Sequence, residues 1–563
     1  MSINRLSSRD GGDSGSSLTR MVDNSSSQYP RSVSVTTVPD SPKMPSAQSP
    51  SFYGATSHPH VTSPGEESHS SVCDELDGVN IDLDPASPQL RDHLLQSFFK
   101  YQTLWVDIVH KDTFQKHQAA QVSSWWYSTF LENAMLACAT RLSTSRSVRA
   151  VGSKYCELAK TETSNAMSDP TPANLQGFLL LSEYEVTRGN DRPGWMFCGV
   201  ACRMLSDLGL HELASTVGSA KATRVPNNES GLAYALLSAC IVYEGVWTLY
   251  LGRPSCIPKS ILSVAASRCQ ANRESDAPWL NAWVGLCVPM AEISQVLNDK
   301  SIADSQRIAL LPQLISDMEE WSEKLPPGLA YKENSLTGMD PAGYGLHTQY
   351  CKVQILVRRA LARKIKAGKR RHSEISVDED TRGSSDDSQA MIYQYALRTA
   401  RLVVTYREAF GLEKIPSIML DNAVVAATAL IQHADSEYTS DSTQKTAVWL
   451  RQLLKSLELV QPHFPIVGRM LESLKNISGH DPAPGVVAPA ASSVTAPASE
   501  PRVNPRLSTD IVPVSSFLEN IPNLSNFPNP DTAWENFDLD RALEDFSAGR
   551  FGDPTLSIVV GTI

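Results

Sequence analysis

Between residues 90 and 477 the apolar residues recur every three or four positions, which is the period of an amphipathic α-helix. The segment 170–189 shows this pattern together with its ends: Thr171 can cap the first turn, Pro172 suits the first helical position, and Gly189 can end the helix. Similar stripes occur at 92–108, 128–145, 197–209, 232–250, 280–298, 304–323, 346–366, 389–411, 417–433 and 446–460. Alternating patterns typical of strands are scarce. The sequence therefore predicts an all-α domain of many helices over 90–477.

Two segments depart from the helical pattern. Residues 368–388, GKRRHSEISVDEDTRGSSDDS, are dense in charge and are predicted to form a loop between two helices. Residues 478–512 are rich in Pro, Ala and Ser. We expect them to be a linker that packs against nothing.

The N-terminal segment 1–89 contains 21 serines and few aromatic residues. Such a composition does not bury enough apolar surface to offset the entropy lost on ordering. We therefore predict that 1–89 is disordered, so that disordered N- and C-terminal segments flank the helical domain. His58, His60 and His69 fall in this segment, and we expect them to be incidental.

Charge and cysteine usage narrow the class of protein. The formal net charge is −11, which argues against a general nucleic-acid coat because neutralising phosphates requires clustered Lys and Arg. No run of about 18 apolar residues is present, so we expect no membrane span. Nine of the ten cysteines lie between Cys138 and Cys351. This usage favours buried thiols in a reducing compartment over a disulfide framework.

Sequence motifs of common enzyme classes are missing. There is no Walker phosphate loop, dinucleotide-binding glycine fingerprint or G-x-S-x-G elbow. In the nearest zinc-hydrolase match, His211-Glu212, Ser215 stands where a second histidine belongs. An all-α terpene cyclase would need aspartates facing a cavity, whereas the acidic run at 378–387 lies in the predicted loop. We therefore predict no catalytic residue, and an enzyme is the least favoured alternative.

Cys198 and Cys202 are the one pair with metal-compatible spacing, since residues four apart share a helix face. Two ligands do not close a structural zinc site, and neighbouring segments hold no C-x-x-C or paired histidines. The sequence therefore favours two small core residues and predicts no metal ligand.

Two segments carry a family resemblance: 195–211 reads WMFCGVACRMLSDLGLH, and 244–258 reads EGVWTLYLGRPSCIP. Together they resemble the regulatory middle-homology domain of fungal-specific transcription factors, in the branch similar to nitrate-assimilation regulators. The residues that match are Trp195, Gly199, Ala201, Arg203, Gly209, His211, Gly252, Arg253 and Pro254. The resemblance is good over roughly 90–300 and weak over 300–475. It implies a domain that lies between DNA-binding and activation regions and receives metabolic signals.

These matching residues are expected to determine the fold rather than to bind a ligand. Gly199 and Ala201 would let a neighbouring helix approach closely, and Arg203 would pair with a carboxylate. Gly209 would end the helix in the left-handed conformation. At 244–245 the family's usual aspartate-arginine pair is replaced by Glu-Gly, so the resemblance carries no specific salt bridge to this position.

The resemblance also implies a mode of DNA recognition that this sequence does not contain. Most members of the family begin with a zinc cluster of six closely spaced cysteines, whereas Cys73 is the only cysteine in the first 137 residues. We therefore expect no cofactor in this chain, with zinc only in a cluster outside it. No DNA-binding residue is assigned. Promoter DNA would be reached indirectly, through such a cluster or a DNA-binding partner.

A basic segment runs from Lys352 to His372, with nine Lys or Arg residues and no acid. Its C-terminal part is a candidate nuclear-import signal. The candidate residues are Arg363, Lys364, Lys366, Lys369, Arg370 and Arg371. A solvated helix end with favourable charge at its C-terminus explains the same pattern equally well.

The C-terminal segment 513–563 alternates large apolar groups with acids, especially over 513–546. Its candidate activation residues are Trp534, Phe537, Leu539, Leu543 and Phe546. Such stretches suit transient docking into a coactivator groove, although a short helix packed on the main domain is an alternative.

The sequence as a whole favours a pathway-specific fungal transcription regulator for a metabolic or secondary-metabolite gene set. We expect it in the nucleus with a cytoplasmic pool. Its expected partners are a coactivator or the transcription machinery, and either a DNA-binding partner or a second copy of the chain. We expect no membrane association. A helical scaffold or co-regulator without direct DNA binding is the alternative.

Overall fold

α-Helices make up almost all regular structure in this protein. The computed structural model describes residues 52–62, 83–102, 106–120, 122–214, 230–271, 277–371, 379–434 and 440–478. Within these ranges it has sixteen α-helices and no β-strand, which confirms the all-α prediction. The helices are α1 Pro59–Thr62, α2 Pro88–Tyr101, α3 Lys111–Gln118, α4 Thr129–Thr140, α5 Arg146–Ser168, α6 Pro172–Arg188, α7 Asp191–Asp207, α8 Ser230–Leu251, α9 Lys259–Ala271, α10 Pro278–Asn298, α11 Asp304–Glu323, α12 Pro341–Arg371, α13 Glu379–Phe410, α14 Ile418–Ala434, α15 Ser440–Val460 and α16 Ile466–Ser478. The predictions for 1–51, 63–82 and 479–563 fall outside the described residues.

The sequence signals at the ends of α6 act as predicted. The Thr171 hydroxyl accepts a hydrogen bond from the Asn174 backbone N–H at 3.1 Å, and Pro172 occupies the first turn. Gly189 ends the helix with a φ of 89°, a left-handed conformation that glycine adopts without a Cβ clash. These local signals therefore place both ends of a helix that lines the candidate site.

The core forms where the helices pack in sequence-adjacent groups. α4 packs on α5 and α6, α10 packs on α8 and α9, and α12 packs on α13 and α14. Fifteen of the seventeen residues in α6, and fifteen of seventeen in α14, are buried. These two helices are therefore enclosed on nearly all sides, and polar groups on them need partners inside the protein.

Two helices are long and apolar enough to cross a membrane by length and composition, Gly231–Leu251 and Pro278–Asn298. In the folded domain 72% and 56% of their most apolar windows are buried. Trp283 on the second helix is among the largest fully buried side chains. Packing against neighbouring helices therefore accounts for their apolar character.

Part of the segment predicted to be disordered is folded onto the helices. The Gly54 backbone N–H donates to the Leu251 carbonyl at 3.1 Å, and the Thr56 N–H donates to Asn298 Oδ1 at 3.0 Å. His58 and His60 are 6% and 1% exposed. The prediction of disorder over 1–89 is therefore wrong for 52–62, and these two histidines are not incidental.

The charged loop predicted at 368–388 is shorter than expected. α12 continues through Arg371, and α13 begins at Glu379. Lys369, Arg370 and Arg371 therefore belong to the backbone of α12 and do not start a loop. Helical propensity in the flanking stripes extends into the charged segment, because a charged side chain on a solvated turn does not oppose helix formation.

Candidate functional site

The two segments that carry the family resemblance lie close together through Arg253. Its guanidinium carbon lies 4.5 Å from the ring centroid of Trp195 on α7 and 5.4 Å from that of Tyr53. Its Nε donates to the Phe52 carbonyl at 3.0 Å. Trp195 is half-buried, and Arg253 is buried. Arg253 therefore holds the 52–62 segment against α7 by stacking and a hydrogen bond.

Gly199 does not play the predicted packing role. A Cβ built there would meet only the guanidinium of Arg203, at 3.2 Å. Close approach occurs instead at Gly194, where a Cβ would lie 2.9 Å from the Trp247 ring. Arg203 is exposed and donates to the Gly199 carbonyl at 3.1 Å. Among the described residues it has no carboxylate partner, so the predicted ion pair is absent there.

The other matching residues occupy structural positions. Ala201 is fully buried, and Gly209 has the left-handed φ of 70° predicted for it. Gly252 has a φ of 64°, and a Cβ there would lie 2.4 Å from the Gly54 Cα. His211 lies 3.2 Å from Glu212, and Pro254 is exposed. No ligand role for these residues follows from this arrangement.

A cleft opens among α6, α8, α12, α14 and α16. Its empty volume, including the part open to solvent, is about 610 Å³. The lining combines apolar groups, such as Trp247 and Met470, with the charged side chains of Glu183, Lys352 and Asp421. A mostly apolar cleft with a few placed polar groups is the usual form of a small-molecule site.

The charged floor of the cleft is formed by Lys352 on α12 and Asp421 on α14. The Lys352 ammonium donates to Asp421 Oδ2, and both residues are buried. Burial alone would raise the pKa of Asp421, but Lys352 and two histidines outweigh it and lower that pKa. Among the described residues, Asp421 Oδ1 has no hydrogen-bond partner. This oxygen is itself buried and lies on the side of His60.

A pair of buried histidines lies behind this floor. His58 Nδ1 is 3.1 Å from His60 Nδ1, and His58 Nε2 is 3.0 Å from Thr428 Oγ1. His60 Nε2 is 3.7 Å from Asp421 Oδ1. Burial lowers the pKa of His58 to about 3 and that of His60 to about 4, so both are neutral near pH 7.

The hydrogen-bond network continues from His60 to α16. His60 Nε2 is 3.3 Å from the Tyr250 hydroxyl, which donates to Asp191 Oδ1 at 3.0 Å. Arg469 donates to Asp191 Oδ2 at 3.2 Å and to the Gly189 carbonyl at 2.6 Å. Burial raises the pKa of Asp191 to about 6, although Arg469 opposes the shift. Four separate parts of the chain, on α1, α7, α8 and α16, are thus connected beneath the cleft.

The opposite wall of the cleft is set by Glu183 on α6. Its Oε2 accepts from the Tyr243 hydroxyl at 2.6 Å, and its Oε1 accepts from Gln102 at 2.8 Å and Ser417 at 3.0 Å. Arg141 donates to Gln102 Oε1 at 2.5 Å. Three donors therefore hold the Glu183 carboxylate in place.

Sequence reasoning missed most of these site residues. Lys352 was grouped with the solvated basic segment but is buried, and Asp421 and Glu183 lie within apolar helical stripes. A usable signal exists in the stripes, because a lone acid on an apolar helix face needs a buried partner. The His-x-His at 58–60 carried no such signal, since its sequence neighbours form no apolar helical stripe.

The candidate import and activation residues are only partly described. Arg363 is exposed on α12. Lys364, Lys366, Lys369, Arg370 and Arg371 have helical backbone, but their side chains lie outside the described part. Trp534, Phe537, Leu539, Leu543 and Phe546 also lie outside it. Both assignments stay predictions.

Comparison with known proteins finds a family match that includes both segments, 195–211 and 244–258, on which the resemblance rests. Residues 95–275 match the model of the fungal specific transcription factor domain. The chain is 23% identical over 347 residues to the nitrogen assimilation transcription factor nit-4 of Neurospora crassa, which covers 53% of this chain and 31% of that protein. It is 22% identical over 382 residues to the nitrogen assimilation transcription factor nirA of Emericella nidulans, covering 61% and 40%. The matches thus span less than half the length of these two relatives.

A third relative is a protein of Schizosaccharomyces pombe. An uncharacterized transcriptional regulatory protein of Schizosaccharomyces pombe, C777.02, is 24% identical over 373 residues, covering 62% of this chain and 59% of that protein. No solved structure gives a significant match. The matched domain and the relatives are those of transcription regulators and not of enzymes, which agrees with the prediction of no catalytic activity.

Proposed function

We propose that the chain is a pathway-specific regulator of transcription in a fungus, because residues 95–275 match the model of the fungal specific transcription factor domain. The domain match is the observation that supports the proposal most strongly, because it covers both segments that carry the family resemblance, 195–211 and 244–258. Two relatives are named for nitrogen assimilation. A metabolic or secondary-metabolite gene set is therefore the proposed target.

The helical domain receives the regulatory signal in the cleft. The ion pair of Lys352 with Asp421 on the floor of a mostly apolar cleft supports this proposal, since a small-molecule site combines apolar walls with a few placed polar groups. The complementary ligand has a hydrogen-bond donor, such as an amine, amide or hydroxyl. It also has an apolar part that packs on Trp247 and Met470. A small metabolite with both features fits this description.

The remaining functions belong to other segments. The acidic-aromatic segment 513–546 docks a coactivator, and the basic end of α12 supports nuclear import from a cytoplasmic pool. DNA is reached through a partner, a second copy of the chain, or a zinc cluster outside this sequence. A co-regulator without direct DNA binding is the second candidate, favoured by the single cysteine among the first 137 residues.

A reporter experiment tests the proposal. The full chain is fused to a foreign DNA-binding domain and expressed in a fungal host with a matching reporter. We expect activation that falls to background when Trp534, Phe537 and Phe546 are all changed to Ala. We also expect Asp421→Asn to alter the response to a change of nitrogen or carbon source, while the exposed control Arg203→Gln keeps it.

The outcomes separate the parts of the proposal. A fusion that accumulates in the nucleus but is silent under every growth condition would contradict an activating regulator. Activation that does not depend on the three aromatic residues would exclude 513–546 as the activation segment. Equal nutrient responses of the Asp421→Asn variant and the parent would remove the cleft as the effector site.

A further inference from the structure

Helices α7 and α8 each present two metal-ligand side chains one turn apart. Cys198 and Cys202 lie on α7, and Cys240 and Glu244 lie on α8. Residues four apart in a helix share a face, and these two helices pack against each other. Cys198, Cys202 and Glu244 consequently meet in one place, between elements that sequence reasoning treated separately.

The ligand atoms are close enough to bind one ion. Cys198 Sγ lies 3.7 Å and Cys202 Sγ lies 4.0 Å from Glu244 Oε2, and the ligand atoms of these three residues lie within 4.8 Å of one another. A tetrahedral zinc site with Zn–S bonds of about 2.3 Å separates its ligand atoms by roughly 3.5–4 Å. Small side-chain adjustments therefore complete the geometry.

Glu244 supplies the second, independent observation. It is only 2% exposed, and among the described residues it contacts no Lys, Arg or His. Its Oε1 accepts from the Cys256 backbone N–H at 2.7 Å, which leaves Oε2 directed at the thiols. Burying a carboxylate without a counter-charge is costly, and a cation among the thiols removes that cost.

We propose that Cys198, Cys202 and Glu244 bind a thiophilic divalent cation in a tetrahedral site, with Zn²⁺ as the preferred ion and a water molecule as the fourth ligand. Thiolate donors select soft or borderline ions over Mg²⁺ or Ca²⁺. Cys256, whose backbone N–H donates to Glu244, is exposed to solvent. Each thiol that binds the metal releases its proton to solvent, and metal affinity therefore rises with pH.

A bound ion would link segment 195–211 to segment 244–258, because each segment supplies ligands. Cys198 and Cys202 lie between Trp195 and His211, and Glu244 begins the segment that ends in the Gly252–Pro254 turn. This assignment replaces the expectation of no metal ligand, which considered only the two cysteines of α7. It does not depend on the proposed role of the cleft or of the activation segment.

Metal analysis of the purified full chain tests the proposal. The reduced protein is stripped with a chelator under anaerobic conditions and titrated with Co²⁺, then with Zn²⁺. We expect one ion per chain, a thiolate-to-cobalt charge-transfer band in the near ultraviolet and visible bands typical of tetrahedral cobalt. Zn²⁺ should displace the cobalt and bleach these bands.

Variants assign the ion to this site. Cys202→Ala and Glu244→Gln should weaken metal binding at least about tenfold, a loss of about 1.4 kcal/mol. Cys287→Ala, which removes a buried thiol of α10 outside the cluster, should bind as the parent does. A parent chain without a thiolate band overturns the proposal, whether or not the variants fold. A band of undiminished strength and affinity in the folded Glu244→Gln and Cys202→Ala proteins also overturns it.

Discussion

Several ionisable side chains lie buried close to one another beneath the cleft. His58 and His60 face Asp421 from α14 and Lys352 from α12, and His60 also faces Arg469 from α16. Their charges balance only because both histidines stay neutral while Lys352 and Asp421 pair. Protonating either histidine would place a second positive charge beside Lys352, in an environment that screens charge poorly.

This arrangement predicts an acid-sensitive fold. The folded-state pKa of His60 is about 4, below its ordinary value of 6.5, so the unfolded chain binds more protons between these values. Stability should therefore be nearly constant above pH 7 and decline as the pH falls from 6.5 towards 4. The His60 contribution between pH 7 and 5 is about 2 kcal/mol. Asp191, with a raised pKa of about 6, opposes the trend over part of this range.

Urea unfolding at pH 7 and pH 5 isolates the histidine contribution. His60→Gln should lose less stability than the parent between the two pH values, by about 2 kcal/mol. The exposed His93, changed to Gln, is the matched control and should follow the parent. Parallel pH profiles for the parent and His60→Gln would show that His60 does not titrate as described.

Among the elements, the long helices were predictable from apolar periodicity and the docked segment 52–62 was not. Thr171 and Gly189 mark the ends of α6 in the sequence itself, because caps act through neighbouring residues. By contrast, His58 bonds to Thr428, 370 positions away, and Thr56 bonds to Asn298, 242 positions away. Neither contact leaves a periodic trace in the polar sequence around 52–62. For the same reason, the sequence did not indicate that the thiols of α7 lie beside Glu244.

A single methyl group should test how the 52–62 segment docks. A Cβ on Gly54 would lie 2.2 Å from the Gly252 carbonyl oxygen and 2.5 Å from Asn298 Oδ1. Backbone atoms on this side cannot move aside cheaply, so Gly54→Ala should destabilise the fold by about 1–3 kcal/mol. It should also speed chymotrypsin cleavage after Phe52 or Tyr53.

Gly328→Ala is the matched control, since a Cβ at Gly328 would meet nothing within 4 Å. Thermal unfolding and timed proteolysis of the full-length proteins compare the two variants. If Gly54→Ala melts and is cleaved as the control is, the close approach to Gly252 does not hold the segment in place.

At the scale of the whole molecule, basic residues are concentrated in one segment of a chain whose net charge is negative. The net charge of −11 is spread over 563 residues, while Lys352 to His372 carries nine basic residues without an acid. Burial removes part of that cluster from solvent, because Lys352 is paired with Asp421 and Arg358 with Glu319. These two residues are accordingly not free to contact phosphates. Sequence composition predicted the sign of the net charge but not which basic residues the fold would neutralise.

This distribution predicts how the chain alone meets DNA. Zinc-cluster recognition needs six thiolates around two metal ions beside phosphate-contacting basic residues, and residues 1–89 contain only Cys73. The site on α7 and α8 binds its ion among buried thiols and offers no such surface. Purified chain should therefore bind promoter and scrambled DNA alike, with a Kd on the order of 10⁻⁴–10⁻⁶ M that weakens steeply with salt. Fluorescence anisotropy at two salt concentrations measures both properties, and nanomolar binding confined to one short sequence would contradict the prediction.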